Sequence, residues 1–273
     1  MEVTLLGTGD TTGTPTPRCE CDTCRESRER GVERTRFSVH VRNEATDESL
    51  LVDASPDFRY QFLTQDVPLP DAIIVTHIHF DHLDGLGNAY RLLDDVPVYA
   101  ADETDPITDE SVAETVDRKY DYLDTISVRP RSPFEPFRTC GFEVTLVPVD
   151  HPPLVCYGLR IESDAGGSLS ISGDTSYAIG DRSREILSGA DLLFVDGIVP
   201  AAFSKHHPAG GDHRASDGTY RTFGRKHMTI EGARAMATEL DAESHRIVHL
   251  SHYIPAEQAF EDDMAVDGER FQL

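Results

Sequence analysis

Short apolar runs rich in Val, Ile and Leu recur along the chain: Val3–Leu6, Phe37–Val41, Ser49–Val52, Ala72–Val75, Val96–Tyr99, Phe142–Val147, Val155–Ile161, Leu169–Ser172, Leu192–Val195 and Arg246–Leu250. Turn residues bound each run, and runs of this length and composition predict β-strands. Elsewhere the apolar positions repeat at helical spacing. That predicts helices over Leu83–Leu93, Ile107–Val116, Arg184–Leu187 and Ile230–Leu240. Thr229 is the N-cap expected for the last, and Gly232 is its one weak position. Helices interleave with strands without strict βαβ alternation, which predicts an α/β fold of two packed sheets with helices outside. No composition break, Gly/Ser linker or internal repeat divides the 273 residues, so one domain over residues 1–273 is expected.

One segment breaks the pattern. From Ala201 to Lys226 no periodicity appears, and the stretch exceeds the roughly 12–15 residues that ordinary loops reach. It holds Lys205, Arg214, Arg221, Arg225 and Lys226 against only Asp212 and Asp217, with His206, His207 and His213 among them. A locally basic loop in an acidic chain predicts a lid, with Arg214, Arg221 and Arg225 gripping a phosphate by bidentate hydrogen bonds.

That local reversal matters because the whole chain carries 49 acidic residues against 25 basic ones, a net charge of −24, and only three lysines. The acid is spread along the sequence. Without the apolar runs it would read as disorder. With them it predicts a halophilic protein, since at roughly 1 M salt the Debye length is about 3 Å and self-repulsion is screened. A nucleic-acid partner is not expected, because phosphate backbones call for a basic face. No run of about 18 apolar residues occurs, so no membrane partner is expected either. Met1 leads directly into Glu2 and a short strand, unlike a signal peptide, which points to the cytoplasm.

The chemistry concentrates in histidines and carboxylates. Asp71–Thr76 reads as a buried strand ending at His77, and residues two apart in extended chain point the same way. His77 and His79 therefore grip one ion, while Asp81 and His82 face a second where a helix begins. Imidazole with carboxylate suits Zn²⁺, Mn²⁺ or Fe²⁺. Three further candidates, His151, Asp174 and His249, each lie just past a predicted strand, and Asp174 can bridge two ions with its two oxygens. Cys19, Cys21 and Cys24 crowd three thiols into six residues, too close for a disulfide framework but suited to a closed, structural Zn²⁺ site that needs a fourth ligand. Cys140 and Cys156 fall in strand-like stretches and read as buried thiols.

His-x-His-x-Asp-His, a lone His, Gly-Asp-Thr and a C-terminal His together resemble the ligand order of the metallo-β-lactamase-fold superfamily, over nearly the whole chain. The resemblance implies a four-layer αβ/βα sandwich, two mixed sheets face to face with helices outside. It also implies two catalytic divalent metals, Mn²⁺ or Zn²⁺ with Fe²⁺ as a further candidate. His77, His79, His151 and Asp174 would hold one; Asp81, His82, His249 and the shared Asp174 would hold the other. Asp53, at the end of the Ser49–Val52 run, matches an acidic position that orients a ligand from behind. Cys-x-Cys-x-x-Cys near the N-terminus is similar to one branch, that of phosphoribosyl 1,2-cyclic phosphate phosphodiesterase of the carbon–phosphorus lyase pathway. By that resemblance His252 of His249-Leu250-Ser251-His252 completes the structural zinc, and the Asp267-Gly268 pair matches too. His227, ahead of the last helix, takes the place of a general acid. His227 and Asp81 are thus the expected catalytic residues, while His40 and His245 are left to structural roles.

The resulting expectation is a metal-dependent phosphodiesterase acting on a small phosphate-ester substrate, working as a homodimer. Three other readings compete. A ribonuclease Z-like tRNA 3′-processing endonuclease shares the histidine before the final helix, but the charge and the lack of a separate Gly/Pro-rich arm oppose it. A thioester or lactam hydrolase of the same fold would need neither the cysteine cluster nor His227. A non-catalytic metal-binding protein would not need all seven catalytic ligand candidates.

Overall fold

The computed structural model describes residues 1–273. Six strands lie side by side in chain order: β1 (Glu2–Gly7), β2 (Ser38–Arg42), β3 (Ser49–Val52), β4 (Ala72–Val75), β5 (Val96–Ala101) and β6 (Ile126–Arg131). β1 to β3 pair antiparallel and β3 to β6 parallel. The second sheet begins with β7 (Phe137–Thr139), β8 (Phe142–Val149), β9 (Cys156–Ser163), β10 (Ser168–Ile171) and β11 (Leu192–Asp196). A separate small sheet follows, β12 (Gly211–Arg214), β13 (Tyr220–Phe223) and β14 (His227–Met228). The chain then returns: β15 (Ser244–Val248) pairs parallel with β11, and β16 (Arg270–Gln272) closes the first sheet against β1. Both large sheets are mixed and they pack face to face, the metallo-β-lactamase fold.

Burial explains which strands the apolar pattern reveals. Every residue of β3, β4, β10 and β11 is buried; β4 is wholly apolar, β3 and β11 nearly so, and β10 alternates buried serines with Leu169 and Ile171. β6 and β7 lie at the outer edges and are mostly half-exposed. Arg129, Pro130, Arg131 and Arg138 blunt those edges and hide the strands from a hydrophobicity reading.

The helices are α1 (Asp22–Arg30), α2 (Phe58–Gln65), α3 (Phe80–Leu83), α4 (Ala89–Leu92), α5 (Val112–Lys119), α6 (Asp181–Leu187), α7 (Ile230–Glu239) and α8 (Ala256–Ala259). Two expectations need correction. The helix expected over Leu83–Leu93 is broken into α3, a 3₁₀ turn over Asp84–Asn88 and α4. At Gly85 the backbone passes so close to the Ser55 carbonyl that a Cβ would stand 1.8 Å from its oxygen. The helix expected from Ile107 starts only at Val112, where Ser111 and Glu114 form a reciprocal capping box. Ile107 instead sits on a turn held by Asp105 and is 66% exposed.

The aperiodic stretch 201–226 is ordered rather than irregular. It runs as a 3₁₀ turn over Ala201–His206, then the β12–β13 hairpin, and reaches β14. The hairpin lies on α7 at Gly232, where a Cβ would be 2.0 Å from the Arg221 carbonyl oxygen. The helix tolerates this weak position because the hairpin needs the space. Thr229 caps α7 by accepting from the Gly232 amide.

One apolar core fills the space between the sheets, with Leu5, Val52 and Ile74 on the face of the first sheet turned to Leu146, Leu159 and Phe194 of the second. A second lies under α6 and α7 and includes Leu187, Val195, Met236 and Ile247. No helix is long and apolar enough to cross a membrane.

Asp267 clasps the C-terminal segment to the start of the chain. Its carboxylate accepts from the Thr8 hydroxyl at 2.8 Å and from the Thr35 amide and hydroxyl at 2.7 and 2.6 Å. Burial pushes this carboxyl up to about 7, from an ordinary 3.8. A group raised in the folded state binds its proton more tightly there than in the unfolded chain. Its contribution to stability therefore falls as pH rises from about 4 to about 7. Asp267→Asn should flatten that part of the urea-stability profile relative to wild type. Parallel profiles for the two proteins would mean that Asp267 titrates normally.

Candidate metal centre

The candidate ligands collect where strands of both sheets end. β4 runs into Thr76 and His77, and the next turn carries His79, Asp81 and His82 to the start of α3. β8 runs in the same direction as β10, two antiparallel pairings away, and is followed by His151. Asp174 follows β10 and His249 follows β15. Gly173 makes the approach to Asp174 possible: φ there is +63°, and a Cβ would stand 2.6 Å from the Tyr157 carbonyl oxygen.

Two groups of donors share one carboxylate. His77, His79, His151 and Asp174 form the first. Within it His77 Nε2 is 2.9 Å from His79 Nδ1, His151 Nε2 is 3.2 Å from that atom, and His77 Nε2 is 3.7 Å from Asp174 Oδ2. Asp81, His82 and His249 form the second, and Asp174 Oδ2 lies 3.3 Å from both His82 Nε2 and His249 Nε2. Metal–nitrogen bonds of about 2.0–2.1 Å give a tetrahedron with edges near 3.3 Å. The spacings fit that size. They also leave buried polar atoms without hydrogen-bond partners, among them His82 Nε2 and both nitrogens of His249. Such atoms are costly unless something completes them.

The electrostatics agree with the geometry. Burial pushes His77 well below its ordinary range and His151 down to about 3, so both are neutral, the form that binds metal. Burial alone would lower His82 and His249 as well. Asp174, Asp53 and Asp81 outweigh it at His82, and Asp174, Asp81 and Asp196 bring His249 up to about 9. The carboxylates thus draw positive charge to the Asp81 side. This donor set can hold two divalent cations. At His79 burial also lowers the pKa, Asp174 and Asp81 oppose it, and the nearby Lys226 ammonium lowers it further.

A supporting layer fixes the imidazoles. His82 Nδ1 donates to Asp53 Oδ2 at 2.7 Å. The Thr76 hydroxyl donates to the same oxygen at 2.7 Å and accepts from His77 Nδ1 at 3.1 Å. Asp53 itself sits at φ +59°, a left-handed backbone that Asp adopts more readily than most residues. His151 Nδ1 donates to the Lys226 carbonyl at 2.9 Å, and Thr11 donates to Asp81 Oδ2 at 3.1 Å.

His227 stands beside this cluster, with ring centroids 4.8 Å from His151 and 4.9 Å from His249. Its Nδ1 donates to Asp196, 3.1 Å from Oδ2 and 3.3 Å from Oδ1. Asp196 is buried, accepts from the Thr175 and Met228 amides, and lies 3.6 Å from His249 Nδ1. The sequence reading missed Asp196. It ends the Leu192–Val195 run just as Asp53 ends Ser49–Val52, so the same strand-end rule would have found it. Thr11 was also missed, and nothing in its local sequence marks it.

Cys19, Cys21, Cys24 and His252 come together at a separate place. The three sulfurs lie 3.3, 3.7 and 3.7 Å from His252 Nδ1. Zn–S near 2.3 Å and Zn–N near 2.0 Å would place them about 3.5 Å apart, so this group can hold a tetrahedral ion. All five cysteines are free thiols, with Cys140 and Cys156 buried.

The basic segment divides in two. Arg221 donates to Tyr177 and pairs with Glu239 at 3.1 Å, and Arg214 stacks on Tyr220, so neither points at the cluster. This corrects the expectation that both grip a substrate phosphate. His213 bonds Thr222 inside the hairpin, and His206 packs on Phe203. Only Arg225 and Lys226, with His207, line the space next to His227.

Asp53→Asn keeps the backbone preference at φ +59° but removes the charge behind His82. We expect it to weaken divalent-metal binding about 10–100-fold, read by competition with a chromogenic chelator. An affinity equal to wild type would remove Asp53 from the support of the site.

Comparison with known proteins places this geometry. A family model described as a beta-lactamase superfamily domain matches residues 48–253. The chain is 30% identical to an octanoyltransferase of Porphyromonas gingivalis over 94% of its own length and 47% of that protein, so it spans about half of that relative. A solved diphosphatase from the PhnP family superposes with a TM-score of 0.78 at 27% identity, covering 100% of this chain and 97% of that one. Zn²⁺-bound PqqB from Methylobacterium extorquens shares the fold, with a TM-score of 0.77 at 22% identity over 100% of both chains. The matched span contains all seven ligand candidates, from His77 to His249, and it covers most of the chain; the chain belongs to the beta-lactamase superfamily and has the metallo-β-lactamase fold.

Proposed function

We propose that the chain is a phosphoric diester hydrolase that opens a small cyclic phosphate, such as phosphoribosyl 1,2-cyclic phosphate. In this reading two divalent cations, Mn²⁺, Zn²⁺ or Fe²⁺, sit at His77, His79, His151, Asp174, Asp81, His82 and His249. A structural Zn²⁺ sits at Cys19, Cys21, Cys24 and His252. When bound, the cation pair lowers the pKa of water toward neutrality and stabilises charge on the attacked phosphoryl group.

The observation that carries the reading is the Asp196–His227 pair at the rim of the cluster. Breaking a phosphodiester expels an alkoxide, which leaves readily only if it gains a proton. Asp196 accepts a hydrogen bond from His227 Nδ1, which fixes the ring and leaves Nε2 to face a leaving oxygen. Asp81, buried beside His82 and His249 and bonded by Thr11, holds its side of the cluster in register. The 27% identity to a PhnP-family diphosphatase supports a phosphoryl substrate. The net charge of −24 weighs against a tRNA substrate.

The test is an assay of the purified protein in high salt with added Mn²⁺ or Zn²⁺. The substrates are ribose 1,2-cyclic phosphate 5-phosphate, an aryl phosphodiester, a thioester and a tRNA precursor. We expect metal-dependent opening of the cyclic diester. His227→Ala should lower kcat about 10²–10⁴-fold, and Asp196→Asn by less. Asp81→Ala should abolish turnover together with metal binding. Cleavage of the thioester or the tRNA precursor alone would overturn the phosphodiesterase reading and leave the fold and cluster as described.

A further inference from the structure

Asp81 turns its Oδ2 toward the second donor group and takes one hydrogen bond there from outside the ligand set: the Thr11 hydroxyl, at 3.1 Å. That oxygen lies 3.7 Å from His82 Nε2 and 3.6 Å from His249 Nε2, while Asp174 Oδ2 lies 3.3 Å from both. Four atoms at these spacings fit the corners of one tetrahedron, with a single oxygen from each carboxylate. Thr11 therefore holds the oxygen that faces the cation, although Thr11 is exposed and Asp81 is buried.

A threonine on a loose loop would not hold a carboxylate in place, and this loop is fixed along its length. Gly9 donates to the Thr35 carbonyl at 2.7 Å, and the Asp10 amide donates to the Leu250 carbonyl at 3.2 Å. A Cβ at Gly9 would stand 2.5 Å from the Arg34 carbonyl oxygen, so only glycine lets the loop lie this close. The Asp10 carboxylate accepts from the Thr12 amide and hydroxyl at 3.0 and 2.9 Å and from the Gly13 amide at 3.2 Å, which closes the turn that presents Thr11. Arg36 Nε donates to the Thr11 carbonyl at 3.1 Å. Asp57 in turn grips that guanidinium at 2.9 and 3.1 Å and accepts from the Arg36 amide at 3.0 Å. The same short segment, 53–57, begins with the carboxylate that accepts from His82. It thus backs two ligands of the second position, His82 directly and Asp81 through Arg36 and Thr11.

A carboxylate can give a cation one oxygen or two. Giving two suits ions that take six oxygen ligands, such as Mn²⁺, whereas giving one completes the four-donor set that Zn²⁺ prefers. To offer both oxygens Asp81 would have to turn and lose the Thr11 bond. We infer that Thr11 is a positioning residue for the second cation: it pins Asp81 to a single ligand oxygen and so biases this position toward Zn²⁺ over Mn²⁺, beyond the general order of the two ions. The inference rests on the two-cation reading of the cluster and is independent of which ester is cleaved. The first position lies outside it, because Thr11 bonds none of His77, His79, His151 and Asp174.

The test compares wild type with Thr11→Val, which keeps the shape and removes the hydroxyl, and Thr11→Ser, which keeps the hydroxyl. The full chain, stripped of metal at the histidine–carboxylate cluster, is titrated separately with Zn²⁺ and Mn²⁺. Zn²⁺ affinity is read against a competing chelator, and Mn²⁺ affinity from loss of the free ion's electron paramagnetic resonance signal. Thr11→Val should lower the ratio of Zn²⁺ to Mn²⁺ affinity about tenfold at one of the two binding steps and leave the other step unchanged. Thr11→Ser should keep the wild-type ratio. An unchanged ratio in Thr11→Val, an equal fall at both steps, or a Thr11→Ser protein that behaves like Thr11→Val would each overturn the inference. Stoichiometry separates this failure from that of the underlying reading. Wild type that takes up fewer than two cations at the cluster would overturn the two-cation reading and the role of Thr11 together. Two cations with a ratio untouched by Thr11→Val would overturn the role of Thr11 alone.

Discussion

The Asp174 carboxylate is the point on which the arrangement depends. It is buried between the two sheets, with one oxygen 3.3 Å from His82 and His249 and 3.7 Å from His77. A carboxylate in that position is costly unless positive charge surrounds it. Imidazoles converge on it from the ends of β4, β8 and β15, which the packing of the two sheets brings to one edge. Gly173 and Gly85 are needed for the same reason: each allows a backbone approach that a side chain would block. The local strain of the strand ends, with Asp53 and His249 both in left-handed backbone, falls in the same place.

The chain termini are tied to this point. Within four residues, His249 turns into the catalytic cluster and His252 into the cysteine cluster. Between them Leu250 pairs with the Thr8–Asp10 backbone, donating to the Thr8 carbonyl and accepting from the Asp10 amide. The Asp267 clasp and β16 extend the tie along β1. Thr11, on the same N-terminal loop, reaches Asp81. A few backbone hydrogen bonds therefore join the cysteine cluster to the histidine–carboxylate cluster.

The acidic surface leaves more than half of the basic side chains paired with a carboxylate. Across most of the chain arginines are held in pairs with Asp or Glu, such as Arg36 with Asp57 and Arg234 with Asp263. The hairpin follows that habit at Arg221, while Arg214, Arg225 and Lys226 form no carboxylate pair and Arg214 stacks on Tyr220 instead. Local charge in the sequence marked the whole segment as basic. The fold ties Arg221 and Arg214 to the packing of the hairpin itself.

Local sequence by itself marked the buried strands, because residues covered on both faces are mostly apolar. It also named the donors. His77, His79, Asp81 and His82 are close in the chain, and His151, Asp174 and His249 each follow an apolar run, so spacing and strand ends reveal them without any fold. The polar edge strands β6 and β7 were invisible because solvent, not packing, selects their residues. Tertiary structure alone decided the remainder. It broke the expected helix at Gly85, since only there does the Ser55 carbonyl pass. It ordered residues 201–226 by laying a hairpin on α7. It joined Asp196, at the end of β11, to His227, 31 residues later. Spacing along the chain carries no information about such pairs, because the contact is set by how two sheets and a hairpin pack rather than by any local period.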